Sequence, residues 1–218
     1  MSSLTLVIGN KNYSSWSLRP WMALTMAGIP FNEIVIPLDQ PDTKEKISAH
    51  SAAGRVPVLH HGRTVIWDSM AIIEYAAELF PEKNLWPKMI AARAMARSAS
   101  AEMHSGFFAL RNACPMNLKR GKKPVPMDDA VRADIARIES LWADCRARFA
   151  KSGKFLFGKF SAADAMFAPV VTRFETYEVP VSGSTRSYMD AVMGTPAFTS
   201  WKDAALKENW VVPSDEVD

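Results

Sequence analysis

The spacing of hydrophobic and polar positions changes repeatedly over the first eighty residues. Short runs alternate apolar and polar residues, as half-buried strands do, and longer runs carry apolar residues three or four positions apart, as amphipathic helices do. Gly28 and Pro30 end the first helical pattern. In chain order, the pattern predicts a strand at residues 4–8, a helix at 15–28, a strand at 31–38, a short helix at 43–50, strands at 56–59 and 64–67, and a helix at 69–79. This order is typical of a small α/β sheet with a parallel half and an antiparallel half.

The pattern changes after residue 80, where strand signals nearly vanish. The segment FPEKNLWPK contains two prolines and shows no hydrophobic period, which indicates a linker at 81–88. The last residues, VVPSDEVD, are expected to fray. Beyond the linker, helical spacing predicts helices at 89–118 and 127–150, one that begins near Ser161, and shorter ones at 187–192 and 196–207. The sequence therefore predicts a sheet domain at 1–80 and an all-helical domain at 89–218.

Composition and charge narrow the classes of partner. With 218 residues, 48% of them hydrophobic, the chain is long enough to bury one large core or two modest ones. The net charge is only +3, and the basic run KRGKK at 119–123 is followed by two prolines, which is typical of a solvated loop. No apolar stretch approaches the roughly 20 residues of a membrane span, and the first residues carry neither a basic nor a long apolar segment. We therefore expect a cytoplasmic protein that binds neither nucleic acid nor membrane.

The two cysteines, Cys114 and Cys145, lie far apart in segments with helical spacing. The sequence contains no CxxC motif and no cluster of cysteine and histidine, so neither a zinc site nor a disulfide-exchange site is expected. We interpret both thiols as small buried apolar groups.

Three serines crowd the junction between the first predicted strand and helix, in the stretch NYSSWSLRPWMAL at 12–24. A helix start presents free backbone N–H groups and the positive end of the helix dipole, so an anion is stabilised there. Pro20 is tolerated in a first helical turn, which supports a helix that starts near Ser15. Two interpretations stay open: Ser14, Ser15 and Ser17 all serve as caps and turn residues, or one hydroxyl donates a hydrogen bond to a bound anion.

Two further junctions offer groups that suit a peptide ligand. Pro57 opens a strand, so it belongs either at a sheet edge or at a cis turn, and a cis bond would let the backbone of Val56 pair with an extended peptide. Asp68 and Ser69 stand where a strand ends and a helix begins, and one of them is the N-cap by default. The same helix start can bind a carboxylate while Asp68 receives an ammonium group, which together fit the amino-acid end of a ligand.

The three junctions follow one another in a fixed order, and on this order the chain resembles the cytosolic glutathione transferases over essentially its whole length. SSWSLRPWMAL is similar to the zeta-type signature Ser-Ser-Cys-Ser-x-Arg-x-x-x-Ala-Leu, GRVPVL to the family's cis-proline loop, and DSMAIIEYAAELFPE to its Glu/Gln/Asp-Ser-x-Ala-Ile-x-x-Tyr-Leu motif. Ser161 and Asp164 match the family's capping box, whose role is in folding. The resemblance implies a thioredoxin-like α/β domain, an all-α domain, glutathione as co-substrate and a homodimer.

The resemblance also implies that Ser14 donates its hydroxyl to the glutathione sulfur, with Ser15 as the alternative donor if the helix start is shifted by one residue. A free thiol has a pKa of about 8.5, and lowering it to about 6.5 requires about 2.7 kcal/mol in favour of the thiolate. A hydroxyl bond to an anion contributes about 1.5–3 kcal/mol and the helix dipole about 0.3–1 kcal/mol. The two contributions together suffice.

The remaining glutathione contacts follow from the same resemblance. Val56 would pair with the cysteinyl backbone, and Pro57 would be the cis residue that permits it. Asp68 and Ser69 would bind the γ-glutamyl amino and carboxylate groups. Arg55 stands where lysine or glutamine is more usual, and it either binds the glycine carboxylate or lies in solvent. The resemblance implies no metal.

The sequence indicates the pocket for the second substrate less clearly than it indicates the glutathione site. Trp16 replaces the cysteine of the zeta signature, which leaves the isomerase chemistry of that class open, and its ring either walls an apolar pocket or packs. Apolar side chains on the first long helix of the second domain would face the sulfur and are either core or pocket. The pocket candidates are Trp16, Met103, His104, Phe107, Phe108 and Arg111, with Leu110 and Met116 on the same predicted helix.

The sequence therefore predicts a serine-type glutathione transferase that conjugates glutathione to a hydrophobic electrophile. A non-catalytic binding or scaffold protein is the alternative, since this fold also occurs without a thiolate site. A glutathione-dependent disulfide reductase would need a cysteine at the start of the first helix, and the sequence has none there.

Overall fold

The first half of the chain forms a four-stranded sheet with three helices, in a computed structural model that describes residues 3–151 and 153–217. The strand order is β2-β1-β3-β4, with β1 parallel to β2 and the other pairs antiparallel. The elements are β1 (Leu4–Ile8), α1 (Ser15–Met26), β2 (Phe31–Val35), α2 (Thr43–Ser48), β3 (Val58–His61), β4 (Thr64–Ile66) and α3 (Ser69–Leu79). The predicted sheet, with its parallel and antiparallel halves, is confirmed.

Alternation along β1 gives the sheet two buried faces. Leu6 and Ile8 lie in the main core together with α1 and α3, whereas Val7 points to the other face and packs with Ile47 of α2. β2 is shorter than predicted, because it stops before Pro37, which has no N–H for the ladder. The sheet thus carries α1 and α3 on one face and α2 on the other.

The second half is built of helices, as predicted. A 3₁₀ turn at Pro81–Lys83 leads into α4 (Ile90–Ser105), α5 (Phe108–Ala113), α6 (Asp129–Cys145), α7 (Ala162–Thr176), α8 (Gly183–Met193) and α9 (Pro196–Ala205). α7 is buried along nearly its whole length and packs against α1, α4 and α8, and the Ser161–Asp164 capping box starts it. No helix in the described residues is long and apolar enough to cross a membrane.

Two helix predictions differ from the structure. The helix predicted at 89–118 is broken near its middle, because Gly106 is extended and Phe107 adopts a left-handed backbone with a φ of 58°. α5 therefore starts anew instead of continuing α4. α8 begins at Gly183, earlier than predicted, because the Ser182 side chain caps it.

Residues 212–217 are held in place, contrary to the expectation that residues 211–218 fray, and Asp218 lies outside the described residues. Val212 is buried, and a 3₁₀ turn follows at Pro213–Asp215. Glu216 accepts hydrogen bonds from the Tyr13 hydroxyl at 2.5 Å and from the Asn117 side-chain amide at 2.9 Å. The expectation was wrong because these partners lie 203 and 99 residues away in the chain, and a local sequence pattern cannot predict contacts at such separations.

One hydrophobic core connects the two halves. It runs from the sheet through α1 and α7 to Trp201 of α9. Side chains from both sides of the predicted linker at 81–88 therefore pack in one core, and the domain limits stay a prediction. Cys114 and Cys145 lie inside this core, as predicted. Burial raises the pKa of the Cys114 thiol to about 11 and that of Cys145 to about 12.

Candidate functional site

The three serines at the start of α1 have three different surroundings. Ser14 is the N-cap, and its hydroxyl oxygen lies 3.4 Å from the Ser17 backbone nitrogen and 2.8 Å from the Ser17 hydroxyl oxygen. Ser17 is fully buried and accepts a hydrogen bond at 3.0 Å from the Gly9 backbone N–H, just beyond β1. Ser15 is the first residue of the helix, and both Ser14 and Ser15 line a cavity. Ser17 thus fastens the helix start to the strand, while the other two face open space.

Two adjoining cavities open at this junction. The helix-side cavity, of about 520 Å³, has a lining that includes Tyr13, Ser14, Ser15, Arg111, Met116, Arg173 and Asp215. The strand-side cavity, of about 560 Å³, is lined by Trp16, Ala53, Arg55, Val56, Pro57, Trp67, Asp68 and His104. Trp16, Arg55 and Val56 line both cavities, so the two form one continuous cleft.

The proline loop forms one wall of the strand-side cavity. The Val56–Pro57 peptide bond is cis, one of the two arrangements that the sequence left open. Both residues precede the first residue of β3, so Val56 lines the cleft outside the hydrogen-bonded ladder of the sheet. Arg55 is exposed at the same rim. The structure therefore brings these three predicted ligand-binding residues together.

Asp68 occupies the amino-terminal end of α3. Its Oδ1 atom accepts hydrogen bonds from the Met70 and Ala71 backbone N–H groups at 3.0 and 3.4 Å, and its Oδ2 atom lies 3.2 Å from His104 Nε2. Ser69 lines neither of the two cavities. It is fully buried behind Asp68, and its hydroxyl has no hydrogen-bond partner among the described residues.

Trp16 lines both cavities and is surrounded by polar groups. The Arg19 guanidinium carbon lies 4.2 Å from the ring centroid and that of Arg111 lies 4.7 Å from it, within the range of cation–π contact. The His104 ring meets the tryptophan edge-on, with 5.1 Å between centroids. Trp16 therefore lines the cleft and also packs against these three side chains, and its part in substrate binding stays a prediction.

Three of the six residues predicted for the second-substrate pocket line neither cavity. Met103 is buried in the hydrophobic core, because the apolar face of α4 packs inward against α7, and Phe107, at the break between α4 and α5, is buried in the same core. Phe108 is 61% exposed at the start of α5, where its ring centroid lies 5.4 Å from the Arg111 guanidinium carbon. The other three candidates do line the cleft.

The helix-side cavity also contains residues to which the sequence patterns did not point. Arg173 comes from α7, Tyr13 precedes the serines, and Asp215 belongs to the carboxyl-terminal 3₁₀ turn. Arg173 carries a usable signal, because a long charged side chain in a mostly apolar, buried helix is rare without a partner. Asp215 carries none, since it reaches the cavity only through contacts remote in sequence.

The cleft is positively charged. Arg19, Arg111 and Arg173 form no ion pair with a carboxylate among the described residues. Burial, and then repulsion from neighbouring arginines, lowers the pKa of Arg19 to about 9 and that of Arg173 to about 10. Burial and a hydrogen bond to a carboxylate raise the pKa of Tyr13 to about 12. No group of three or more side chains suited to a metal ion occurs within residues 3–151 and 153–217.

Two family models match the chain on segments that supply part of this cleft. The model for the glutathione S-transferase N-terminal domain matches residues 13–79, and the model for the glutathione S-transferase C-terminal domain matches residues 128–204. The chain belongs to the glutathione S-transferase family. The first match contains the serine junction, the cis-proline loop and the start of α3, so it contains every lining residue of the strand-side cavity of this glutathione S-transferase except His104.

Named relatives of this glutathione S-transferase are zeta-like. The chain is 28% identical to glutathione S-transferase Z2 of Arabidopsis thaliana over 204 residues, which cover 86% of this chain and 88% of that protein. It is 33% identical over 110 residues to a probable maleylacetoacetate isomerase of Caenorhabditis elegans, and this match spans only 50% of this chain and 51% of that protein. A glutathione transferase homolog from Burkholderia, solved with bound glutathione, shares the fold with a TM-score of 0.72 at 22% identity, over 94% of this chain and 98% of that one.

Proposed function

We propose that this glutathione S-transferase holds the glutathione thiolate with the Ser14 hydroxyl and joins it to an electrophilic carbon of a second substrate. The observation that carries the proposal is the position of Ser14, an N-cap side chain that lines the cleft at the start of α1. The thiolate is the nucleophilic form of a thiol, so a site that favours the anion accelerates attack. Sulfur forms a bond to the electrophilic carbon while the leaving group departs with its electron pair.

The contacts of Ser17 support a directed chain of hydrogen bonds. The Gly9 N–H donates to Ser17 Oγ at 3.0 Å, and the Ser17 and Ser14 hydroxyl oxygens are 2.8 Å apart. In the structure the Ser14 hydroxyl donates to Ser17 Oγ. When a thiolate binds at Ser14, the Ser14 proton is proposed to turn to the sulfur, and the Ser17 hydroxyl then donates to Ser14 Oγ. Each bond in such a chain polarises the next. Ser17 is therefore proposed as a positioning residue for Ser14.

Glutathione is proposed to lie in the strand-side cavity with its sulfur at Ser14. The Val56 backbone pairs with the cysteinyl backbone, and Asp68 accepts the γ-glutamyl ammonium group. The γ-glutamyl carboxylate is proposed to bind at the start of α3, where the positive end of the helix dipole attracts an anion. Ser69, predicted for this carboxylate, is fully buried and lines neither cavity, so its hydroxyl is given no contact with glutathione. Arg55, exposed at the rim, suits the glycine carboxylate. Ser15 remains the alternative donor to sulfur, since it lines the same cavity as Ser14.

The second substrate is proposed to occupy the helix-side cavity, with its apolar part against Trp16, Pro115 and Met116. We propose conjugation and not isomerisation, although two relatives are named as a probable maleylacetoacetate isomerase and a maleylacetoacetate isomerase. The reason is Trp16, which stands where the zeta signature has a cysteine. With a bulky ring in place of the cysteine, the protein offers no second thiol at this position. The shape of the cavity is therefore proposed to select the substrate.

The experiment that tests the proposal is glutathione conjugation to a chloronitrobenzene by the wild-type protein, Ser14→Ala and Ser15→Ala. Ser14→Ala is expected to lose about 10- to 100-fold in kcat, the kinetic equivalent of one hydroxyl bond to an anion, and to raise the glutathione Kd at neutral pH by no more than about fivefold. Ser15→Ala is expected to keep its kcat. Loss in Ser15→Ala alone would move the role to that residue.

The alternative, a non-catalytic binding protein, makes a different prediction in the same experiment. It requires that the wild-type protein bind glutathione in calorimetry and conjugate none of several electrophiles. Retention of Ser14, the cis-proline loop and Asp68 at one cleft favours the enzyme.

We also propose that the protein is a cytoplasmic homodimer. Exposed apolar side chains just beyond β4 and at the start of α4 support a covered surface: Trp67 is 55% exposed, Met89 58% and Ile90 76%. Each sheet domain would then pack against the helical domain of the partner. Sedimentation at micromolar concentration is expected to give the mass of two chains, and the mass of one chain would contradict the dimer.

A further inference from the structure

Three guanidinium groups lie at or behind the wall of the helix-side cavity with few partners. Arg173 is 4% exposed; its Nε donates to the Cys114 carbonyl at 2.8 Å, and its buried Nη1 has no partner among the described residues. Arg111, half-buried on α5, lies over the Trp16 ring, and its hydrogen bonds within the described residues are long contacts of 3.4 and 3.5 Å to backbone carbonyls. Arg19 is fully buried, and none of its three side-chain nitrogens has a partner in the described part of the chain.

This arrangement is unfavourable unless an anion binds. Arg19 and Arg173 have lost their hydration without a carboxylate in ion-pair contact among the described residues, and the three like charges repel one another. With pKa values of about 9 for Arg19 and about 10 for Arg173, both side chains stay protonated at neutral pH. A bound anion supplies charge-assisted hydrogen bonds and reduces the repulsion at the same time.

We propose that the second substrate of this transferase carries a planar anion such as a carboxylate on an apolar body, and that Arg111 and Arg173 bind this anion in the helix-side cavity. This inference rests on the proposed function and adds the substrate class. Ser14, Trp16 and Met116 line the same space of about 520 Å³, so the anion, the apolar body and the reacting carbon would share one cavity.

Glutathione is the competing source of an anion, because its thiolate would also be attracted by the arginines. Arg111 and Arg173, however, line only the helix-side cavity, whereas Pro57 and Asp68, proposed to hold glutathione, line only the strand-side cavity. The observations therefore favour the second substrate as the partner of the two arginines.

Asp215 lines the same cavity and opposes the arginines. Its charge acts on Arg173, and burial raises the pKa of its own carboxyl group. Asp215 would repel a second anionic group near the carboxyl-terminal turn, so the site suits one anion and not two. Asp215→Asn is therefore expected to strengthen the binding of an anionic substrate.

The test uses a matched pair of substrates, a chloronitrobenzoate and its carboxamide, with the chlorine para to the carboxyl or amide group. In both, the thiolate forms a carbon–sulfur bond at the carbon that carries chlorine, and chloride leaves with the bonding electron pair. After correction for the uncatalysed rates, the wild-type kcat/KM is expected to be about tenfold higher for the benzoate, the effect of one charge-assisted contact.

Single substitutions then assign the preference to residues. Arg111→Gln and Arg173→Met are each expected to lower kcat/KM about tenfold for the benzoate and less than about twofold for the amide, and Asp215→Asn to raise the benzoate value about threefold. Arg132→Gln removes the same charge from an exposed position on α6 and is the control, with both values unchanged. If buried Arg173→Met does not fold, Arg111→Gln and Asp215→Asn carry the test.

The outcomes separate this inference from the proposed function. Conjugation of both substrates without preference for the benzoate overturns the inference and leaves the transferase intact. Equal losses for both substrates in the arginine variants assign the arginines to the thiolate and also overturn it. If the protein conjugates neither substrate, calorimetry measures its binding of nitrobenzoate and of nitrobenzamide, which lack the chlorine. Tighter binding of nitrobenzoate would then support the anion site and contradict the transferase activity. Equal binding, or no binding of either compound, would overturn both the anion site and the transferase activity.

Discussion

The two ends of the cleft are built in different ways. The strand-side cavity is formed largely by short segments, the cis Val56–Pro57 loop and the helix cap at Asp68, whose geometry follows from their own few residues. The helix-side cavity draws Arg111, Arg173 and Asp215 from α5, α7 and the carboxyl-terminal turn. Local chain geometry therefore determines the proposed glutathione end, whereas the packing of distant helices determines the end that selects the second substrate.

The largest effect confined to one end is expected from Asp68→Asn. The γ-glutamyl ammonium group loses a charged acceptor, worth about 1.5 kcal/mol, so the glutathione Kd rises about tenfold in calorimetry. Asparagine still caps α3, so the unfolding free energy changes little. The KM of the second substrate stays within about twofold of wild type.

Asp129→Asn, an exposed acid at the start of α6, is the matched control and should change neither constant. If Asp68→Asn instead lost affinity equally for both substrates, the strand-side and helix-side cavities would not bind independently. That result would contradict the distinction drawn between the two ends of the cleft.

Ser17→Ala tests the hydrogen-bond chain where the two ends meet. It removes the acceptor of the Gly9 N–H and the proposed donor to Ser14, so kcat is expected to fall about fivefold and the unfolding free energy by about 1–2 kcal/mol. Thr195→Ala removes the N-cap of α9 and costs about 1 kcal/mol away from the cleft. If Thr195→Ala lowers kcat as much as Ser17→Ala, the effect of Ser17 comes from lost stability alone.

The smallest effect is expected at the carboxyl-terminal turn. Tyr13→Phe and Glu216→Ala each break the contact that holds this turn over the helix-side cavity, so each should raise the KM of the second substrate about threefold. Glu216→Ala also removes the acceptor of the Asn117 amide, so the double variant should be no worse than Glu216→Ala alone, which already lacks the Tyr13 contact. An increase in the glutathione KM instead would assign the turn to the other end of the cleft.

The sequence predicted the strand-side end better than the helix-side end for the same physical reason. A helix cap or a proline before a strand needs only neighbouring residues, so Val56, Pro57 and Asp68 could be selected from short motifs. Helical spacing shows that a face is apolar but not what packs on it, so Met103 and Phe107 were assigned to the pocket although they lie in the core.

Two further differences between prediction and structure have separate causes. The break at Gly106, after which α5 starts as a separate helix, is a local change of backbone conformation that the spacing of apolar residues does not reveal. Asp215 reaches the cavity in a turn that is anchored by Glu216 on Tyr13. Tyr13 and Glu216 are 203 residues apart, so no local sequence pattern predicts their contact.

The central claim is that Ser14 stabilises a thiolate, and the most direct measurement is an ultraviolet pH titration of glutathione bound to the protein. The account predicts that the bound thiol titrates with a pKa of about 6.5, about two units below the free thiol. In Ser14→Ala the value should return most of the way toward about 8.5, whereas Ser187→Ala, exposed on α8, should match wild type. A wild-type protein that binds glutathione while its thiol still titrates near about 8.5 would contradict the claim.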